Sequence, residues 1–129
     1  MSKYYRREAK VRKILSEQLK INIVKKKLVY AHDKEGLPKM HEFDLVANTE
    51  NGLLVGEVKS SAYASGGSSG YRNTNFWRVL GACILLEKVE ASRKILVLTD
   101  RELYEHFKVD SEGLISEDIE IMLVDVGLA

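Results

Sequence analysis

A polar turn between two short apolar segments constrains the fold of this chain more than any other feature of its sequence. Residues 43–47 and 53–59 are apolar apart from three charged positions. Residues 48–52 between them are polar and end in Asn51-Gly52, a dipeptide that tolerates the positive φ of a tight turn. The pattern predicts two adjacent strands joined as a hairpin.

The three charged residues of this hairpin predict a site. Side chains two apart in a strand share a face, so Glu57 and Lys59 point the same way and Val58 points opposite. Pairing across the turn sets Asp44 beside them. Two adjacent carboxylates repel each other, and a divalent cation such as Mg²⁺ or Mn²⁺, bound by carboxylates and substrate phosphate oxygens, offsets that repulsion. We therefore expect a site for phosphodiester hydrolysis.

These residues also resemble a known motif. Asp44, thirteen positions before Glu57-Val58-Lys59, is similar to the D…(D/E)xK core of the PD-(D/E)xK nuclease superfamily. That superfamily includes type II restriction enzymes, archaeal Holliday-junction resolvases and RecB-like nuclease domains. The resemblance covers roughly residues 4–99 by element order, and Phe43 stands where the name-giving proline would be. It implies a restriction-endonuclease-like α-β-β-β-α-β core, an α/β fold with a mixed central sheet flanked by helices.

The resemblance also implies an activity, a Mg²⁺-dependent (or Mn²⁺-dependent) nuclease acting on nucleic acid. A DNA endonuclease is the leading expectation, with structure-specific or junction-resolving cleavage as one form. Asp44 and Glu57 would hold the metal together with the carbonyl of Val58, and Lys59 would steer the attacking water. The archaeal resolvases are similar in length and are homodimers, so a homodimer is a further expectation.

The first predicted element is a helix over about residues 3–19, which no glycine or proline interrupts. Glu8 falls on its apolar stripe with Val11 and Leu15. In the superfamily a glutamate of the first helix often points at the metal site. Glu8 is the first choice for that role and Glu17 the second. The alternative for either residue is an ordinary surface glutamate.

Charge is unevenly distributed along the chain. The net charge is +1, yet residues 1–30 carry a balance of +8 and residues 100–129 a balance of −7. A basic N-terminal region suits a polyanion, although it would equally describe solvated helix faces. Lys25, Lys26 and Lys27, in a predicted first strand, either contact phosphates or protect a sheet edge by charge.

A second group of predicted nucleic-acid contacts follows the hairpin. The glycine-serine stretch 65–70 is either a loop that closes over a phosphate backbone or a disordered connector. Arg72 and Arg78 lie near the start of a predicted helix over about residues 76–89, where free backbone amides also favour a phosphate. Trp77 either stacks on a base or, as is more frequent for such an aromatic, packs in the core.

The remaining segments complete one expected domain, residues 1–129. We predict a loop over residues 32–40, a buried strand over 94–99, a short helix over 100–108 and a final strand over 119–126. The predicted order is therefore α-β-β-β-α-β-α-β. His32 and His41 lack a partner at a spacing diagnostic of a general base, and Glu42 is a possible spare ligand.

Composition limits the class of protein. No apolar run approaches the ~20 residues needed to span a bilayer, and no signal-peptide pattern opens the chain, so we expect no membrane partner. The single cysteine, Cys83, is expected to be a buried thiol and fits a reducing cytoplasm. Two alternatives to a nuclease stay open: an inactive nuclease-like module that binds nucleic acid or a partner, and an α/β domain in which the charged positions are accidental.

Overall fold

The computed structural model of this chain describes residues 3–63 and 75–127, with side chains described from residue 6. In these ranges it is an α/β fold of three helices and one five-stranded mixed sheet. The elements in chain order are α1 (Lys3–Leu19), β1 (Val24–His32), β2 (Pro38–Thr49), β3 (Gly52–Lys59), α2 (Asn75–Lys88), β4 (Arg93–Leu98), α3 (Arg101–Asp110) and β5 (Ile119–Leu123).

The strands lie in the sheet in their sequence order, β1-β2-β3-β4-β5. The first three strands form an antiparallel meander, because short turns connect them. β4 and β5 join it in parallel, since α2 and α3 carry the chain back across the sheet before each of them. β4 is buried from Lys94 to Leu98, as expected of a strand covered on both faces.

The sheet divides the apolar core into two layers. On one face, α1 packs Val11 and Leu15 against Leu45 and Leu54 of the hairpin. On the other face, α2 and α3 pack against the sheet through the buried residues Val46, Val55, Phe76, Val79, Leu86, Leu96, Leu103 and Phe107. Complete burial of such a side chain contributes roughly 1.5–3 kcal/mol. The β2–β3 hairpin is therefore covered by helices on both faces of the sheet.

A β-bulge in β2 interrupts the pairing at Asp44. The partner of Val24 is Val46, but the partner of Lys26 is Phe43, so β2 uses one residue more than β1 over this step. Pairing of β2 with β3 ends at Leu45 opposite Gly56. A bulge bends its strand and leaves one residue unpaired. β2 and β3 therefore separate where the charged residues of the hairpin lie.

Several predicted boundaries differ from the structure. The predicted loop over 32–40 is wrong at its end, because β2 already begins at Pro38, an allowed strand-start position for proline. The turn residues are Glu50 and Asn51, and only Gly52 of the tight-turn dipeptide has positive φ, +117°. β1 begins at Val24 rather than at residue 21. Such limits depend on cross-strand hydrogen bonds, which local patterns do not encode.

Candidate active site

Asp44 is held in the opening between β2 and β3 by bonds to both its side chain and its backbone. Its side chain is buried, and Oδ2 accepts a hydrogen bond from the backbone N–H of Val58 at 2.9 Å. The Asp44 carboxylate thus replaces a backbone partner that the bulge has moved away. The guanidinium of Arg12 on α1 donates through Nη1 to the backbone carbonyl of Asp44 at 3.2 Å.

Glu57 is the more deeply buried of the two hairpin carboxyl groups, with 4% of its surface exposed. Burial, and then the adjacent carboxyl group of Asp44, raise the pKa of Glu57 to about 9, although the ammonium of Lys59 acts in the opposite direction. The carboxyl groups of Asp44 and Glu57 lie within hydrogen-bonding reach of each other. Burial and the neighbouring carboxyl group therefore both favour the protonated form of Glu57 in the metal-free protein.

Glu8 brings a third carboxyl group from α1. Burial raises its pKa first, and the charge of Asp44 raises it further, while a hydrogen bond from Lys25 lowers it. Lys25 Nζ donates to Glu8 Oε1 at 3.3 Å. Glu17, the second choice from the sequence, is exposed on the same helix. The structure therefore places Glu8 beside Asp44 and leaves Glu17 on the surface.

A cleft opens beside these carboxyl groups, at the end of β3. Its volume is about 240 Å³, and it is lined by Glu8, Val58, Lys59, Ser60, Ser61 and Arg78. The side chain of Lys59 is half-buried, and in the described residues its ammonium makes no hydrogen bond or ion pair. Arg7 Nη1 donates to the carbonyl of Ser60 at 2.9 Å and so ties α1 to the rim of the cleft. Among the described residues, the cleft presents the ammonium of Lys59, the guanidinium of Arg78 and the carboxyl group of Glu8 to a ligand.

The predicted nucleic-acid contacts divide into two groups. Lys25 turns toward carboxylates, because its ammonium lies 3.3 Å from Glu8 and 3.8 Å from Glu42. Lys26 and Lys27 are exposed on β1, which is an edge strand of the sheet. That position is compatible with both roles considered for these lysines, contact with phosphates and protection of the sheet edge by charge.

The second group lies partly outside the described residues. Arg78 lines the cleft with Lys59. Arg72 and the stretch 65–70 fall in the range 64–74 and lie outside the residues that the structure describes. The expectation that Trp77 packs in the core is wrong, because 61% of its surface is exposed. Its position on the outer side of α2 leaves the inner side to Phe76 and Val79.

His41 belongs to the site although no spacing in the sequence predicts it. Its Nε2 contacts Glu57 Oε1, and its ring stands edge-on to Phe43 with centroids 4.7 Å apart. Burial lowers the pKa of His41, and the negative charge of Asp44 opposes that effect. Strand alternation places His41 and Phe43 on one face of β2. This shared face can be predicted from the sequence, but the contact of His41 with Glu57 depends on how the bulge bends β2.

Arg7 and Arg12 are two further residues that support the site and that sequence reasoning missed. Arg7 donates to the carbonyl of Ser60, directly after β3, and Arg12 donates to the carbonyl of Asp44 at the bulge in β2. Arg12 lies one helical turn after Glu8 and therefore on the same side of α1. That spacing was the one available signal, because residues 1–30 contain ten Lys and Arg residues that look alike in sequence.

The donor atoms fit a hard divalent cation in chemical type. Asp44, Glu57 and the backbone carbonyl of Val58 offer oxygen ligands, which suit Mg²⁺ and Mn²⁺. Burial and mutual repulsion raise the pKa of Glu57, and a divalent cation between the two carboxylates would offset that repulsion. In the described ranges no group of three or more His, Cys, Asp or Glu side chains is arranged to hold a metal.

Cys83 does not compete with this site as a nucleophile. Cys83 is a buried free thiol, as predicted, and burial raises its pKa to about 12, so it is a poor nucleophile.

Within the described residues, the helices are too short or too polar to cross a bilayer. No protein-family model, curated protein or solved structure matches this chain. The chemistry of the site itself therefore carries the functional conclusion.

Proposed function

We propose that this chain is a Mg²⁺-dependent nuclease of the PD-(D/E)xK type that hydrolyses phosphodiester bonds of DNA. One observation carries the proposal: the carboxyl groups of Asp44 and Glu57 meet where β2 and β3 separate, with Lys59 on the same strand as Glu57. The element order, a helix, an antiparallel three-strand meander, a helix and a parallel strand, supports a restriction-endonuclease-like fold.

The residues of the site have distinct roles in this proposal. Asp44 and Glu57, with the carbonyl of Val58, would hold Mg²⁺, which when bound acts as a Lewis acid and lowers the pKa of its water. Lys59 lines the cleft and has no ion-pair partner in the described residues. Its ammonium is therefore available to orient the attacking water and to offset charge on the phosphate. Arg78, which also lines the cleft, would bind a phosphate oxygen.

Three contacts keep the carboxylates in position. The backbone N–H of Val58 and the guanidinium of Arg12 hold Asp44 at its side chain and its backbone. His41, fixed by its edge contact with Phe43, orients the Glu57 carboxyl group. Positioned groups of this kind lower the barrier because the geometry needs no reorganisation during the reaction.

The second candidate is a nuclease-like module that binds nucleic acid without cutting it. The observation in its favour is that no group of three His, Cys, Asp or Glu side chains in the described part of the chain is arranged to hold a metal. The intact set of Asp44, Glu57 and Lys59 opposes it, because a lost activity usually leaves at least one of these residues replaced.

The test is incubation with supercoiled plasmid and, separately, with a synthetic four-way junction, in Mg²⁺, Mn²⁺ or EDTA. We expect cleavage with either metal and none in EDTA. The matched control is Asp44→Asn, which keeps the size of the side chain and the acceptor for the Val58 N–H. Binding of DNA without cleavage in either metal would contradict the nuclease and favour the binding module.

The proposal also includes a cellular location and an oligomeric state. A cytoplasmic location would suit the free, buried Cys83. A homodimer would present two clefts to the two strands of a duplex, and sedimentation at micromolar concentration tests it. Cleavage of both plasmid strands in one encounter is the expected result for a dimer, and nicking alone is the result for a monomer.

A further inference from the structure

Trp77 is a large aromatic side chain that the fold leaves uncovered. It stands in the first turn of α2 with 61% of its surface exposed, while its neighbour Phe76 is 2% exposed. The rings of Phe76 and Trp77 meet edge-on with centroids 5.1 Å apart, and Phe76 packs on Phe107 at 5.7 Å. The indole therefore rests against an anchored ring, and little side-chain freedom is lost when something stacks on it.

The position of Trp77 connects it to the cleft. Arg78 follows it directly in α2 and lines the cleft together with Lys59. Successive side chains of a helix diverge by about 100°, so the exposed side chains of Trp77 and Arg78 leave the first turn of α2 in neighbouring directions, and the indole is not among the residues that line the cleft. A phosphate bound by Arg78 would therefore bring the neighbouring base of the same strand close to Trp77, the preceding residue of α2.

We infer that Trp77 is a stacking platform for an unpaired base beside the phosphate bound in the cleft. The preferred substrate is then DNA with single-stranded nucleotides next to the cleavage site. This inference rests on the proposed function and narrows its substrate class. Bases inside a duplex are covered by their neighbours, so an intact duplex offers the indole no free base face. Stacking of one base on an aromatic side chain contributes roughly 1–3 kcal/mol and is tolerant of sequence.

A second copy of the chain is the competing occupant of this surface. Ile84 lies seven residues after Trp77 on the same side of α2 and is 52% exposed. An unpaired base is favoured because the adjacent cleft presents two cationic side chains, Arg78 and Lys59, beside Glu8, and a strand of DNA contacts the aromatic and the cationic groups together. The same experiment separates the two occupants.

The experiment uses the fact that Trp77 is the single tryptophan of the chain. Its fluorescence is titrated in EDTA with an oligothymidylate and with a blunt duplex of equal length. We expect quenching by the single strand and little by the duplex. By anisotropy of labelled DNA, Trp77→Ala should weaken single-strand binding roughly 5- to 150-fold and leave duplex binding unchanged. Trp77→Phe should retain most of the affinity, and Ile84→Ala, the matched exposed apolar control, all of it.

Three results would overturn the inference. One is tight binding of the oligothymidylate with no change in Trp77 fluorescence. Another is an equal loss of single-strand and duplex affinity in Trp77→Ala. The third is a change of fluorescence on dilution without DNA that Ile84→Ala abolishes, which would assign the surface to a second copy. Metal-dependent plasmid cleavage alongside any of these leaves the proposed function standing, whereas a protein that neither binds nor cuts DNA removes both.

Discussion

The two halves of the β2–β3 hairpin contrast sharply although they belong to the same two strands. Near the turn, Leu45 to Thr49 pair with Gly52 to Gly56, and the ladder is complete and largely apolar. Beyond Gly56 the ladder stops, and the buried side chains there include Asp44 and Glu57. A closed ladder leaves no polar group unsatisfied. The open half buries charge that only specific partners satisfy, so one half supplies stability and the other half chemistry.

Gly56 marks the boundary between the halves. A Cβ atom at this position would lie 2.8 Å from the carbonyl oxygen of Ile95 and 2.9 Å from the side chain of Leu45. Only glycine lets the three strands approach so closely at the point where β2 turns away. We therefore predict that substitutions in the open half alter activity, and that substitutions in the closed half alter stability.

The largest expected effect is in the open half. Asp44→Ala, Glu57→Ala and Lys59→Ala should each abolish cleavage, a decrease of roughly 10²–10⁴-fold in kcat. Each removes either a metal ligand or the group that orients the attacking water. The measurement is the rate of plasmid cleavage in Mg²⁺, with circular dichroism to check the fold. Lys59→Ala cutting as fast as wild type would refute the role given to Lys59.

Glu8 and Glu17 provide a matched pair for the same half. Glu8→Gln should slow cleavage, because Glu8 lies beside Asp44, whereas Glu17→Gln changes an exposed residue of the same helix and should have no effect. The measurement is again the rate of plasmid cleavage in Mg²⁺. Equal rates for the two variants would remove Glu8 from the site.

The closed half should respond in stability. Leu54→Ala removes a side chain that is 1% exposed and should lower the free energy of unfolding by roughly 2–5 kcal/mol. Denaturation in urea measures it, at a temperature where the variant stays folded. Per folded molecule, cleavage should be unchanged. Loss of activity in fully folded Leu54→Ala would show that the two halves are coupled rather than separate.

A pH-dependent effect on stability should distinguish Glu57 in the metal-free protein. Its pKa is about 9 in the folded state against an ordinary 4.5, so its protonation stabilises the fold below pH 4.5, and this contribution is lost as the pH rises to 9. The loss is at most about 1.4 kcal/mol per pH unit. Glu57→Gln lacks this loss. We expect its stability advantage over wild type in EDTA to grow as the pH rises between those two values.

Urea denaturation at several pH values tests that expectation. Glu17→Gln serves as the control, because the side chain is exposed and its replacement should follow wild type at every pH. Parallel stability curves for wild type and Glu57→Gln would show that Glu57 ionises normally in the folded protein. The claim that the open half of the hairpin differs from the closed half by burying charged groups would then be wrong.

The smallest effect concerns binding outside the hairpin. Replacing exposed Lys26 and Lys27 by Gln should flatten the salt dependence of duplex affinity, by a log–log slope of roughly 0.9 for each phosphate that these lysines neutralise. Lys25→Gln should leave the slope unchanged, since Lys25 faces Glu8 and Glu42. Cleavage at saturating DNA should persist in the double variant. An unchanged slope there would move the binding surface to Arg78 and the cleft.

Local patterns were sufficient where a structural feature depends on neighbours in sequence. Helical periodicity located α1, and the apolar run of residues 94–99 located β4, each within a few residues of the observed bounds. The alternation of β3 placed Glu57 and Lys59 on one side of the strand. The choice of Glu8 over Glu17 followed from the apolar stripe of α1, and the structure puts Glu8 beside Asp44.

Local patterns failed where a feature depends on distant contacts. The bulge at Asp44 arises from the register between β1 and β2, which no window of sequence contains. The same holds for the contact of His41 with Glu57, sixteen residues apart, and for the turn of Lys25 toward Glu8. Trp77 is a large aromatic residue of the kind that usually packs in a core, but the orientation of α2 on the sheet leaves its side chain exposed to solvent.

The sequence by itself determined the α/β class, the helices and strands, and the spacing that brings Asp44, Glu57 and Lys59 to one end of a hairpin. Periodicity and turn chemistry act over a few residues, so they can be read from the chain directly. The tertiary structure decided where the ladder opens, which cations pair with the carboxylates and which aromatic ring stays exposed. These outcomes depend on strand register and helix packing, in which segments far apart in sequence compete for the same space and the same hydrogen bonds.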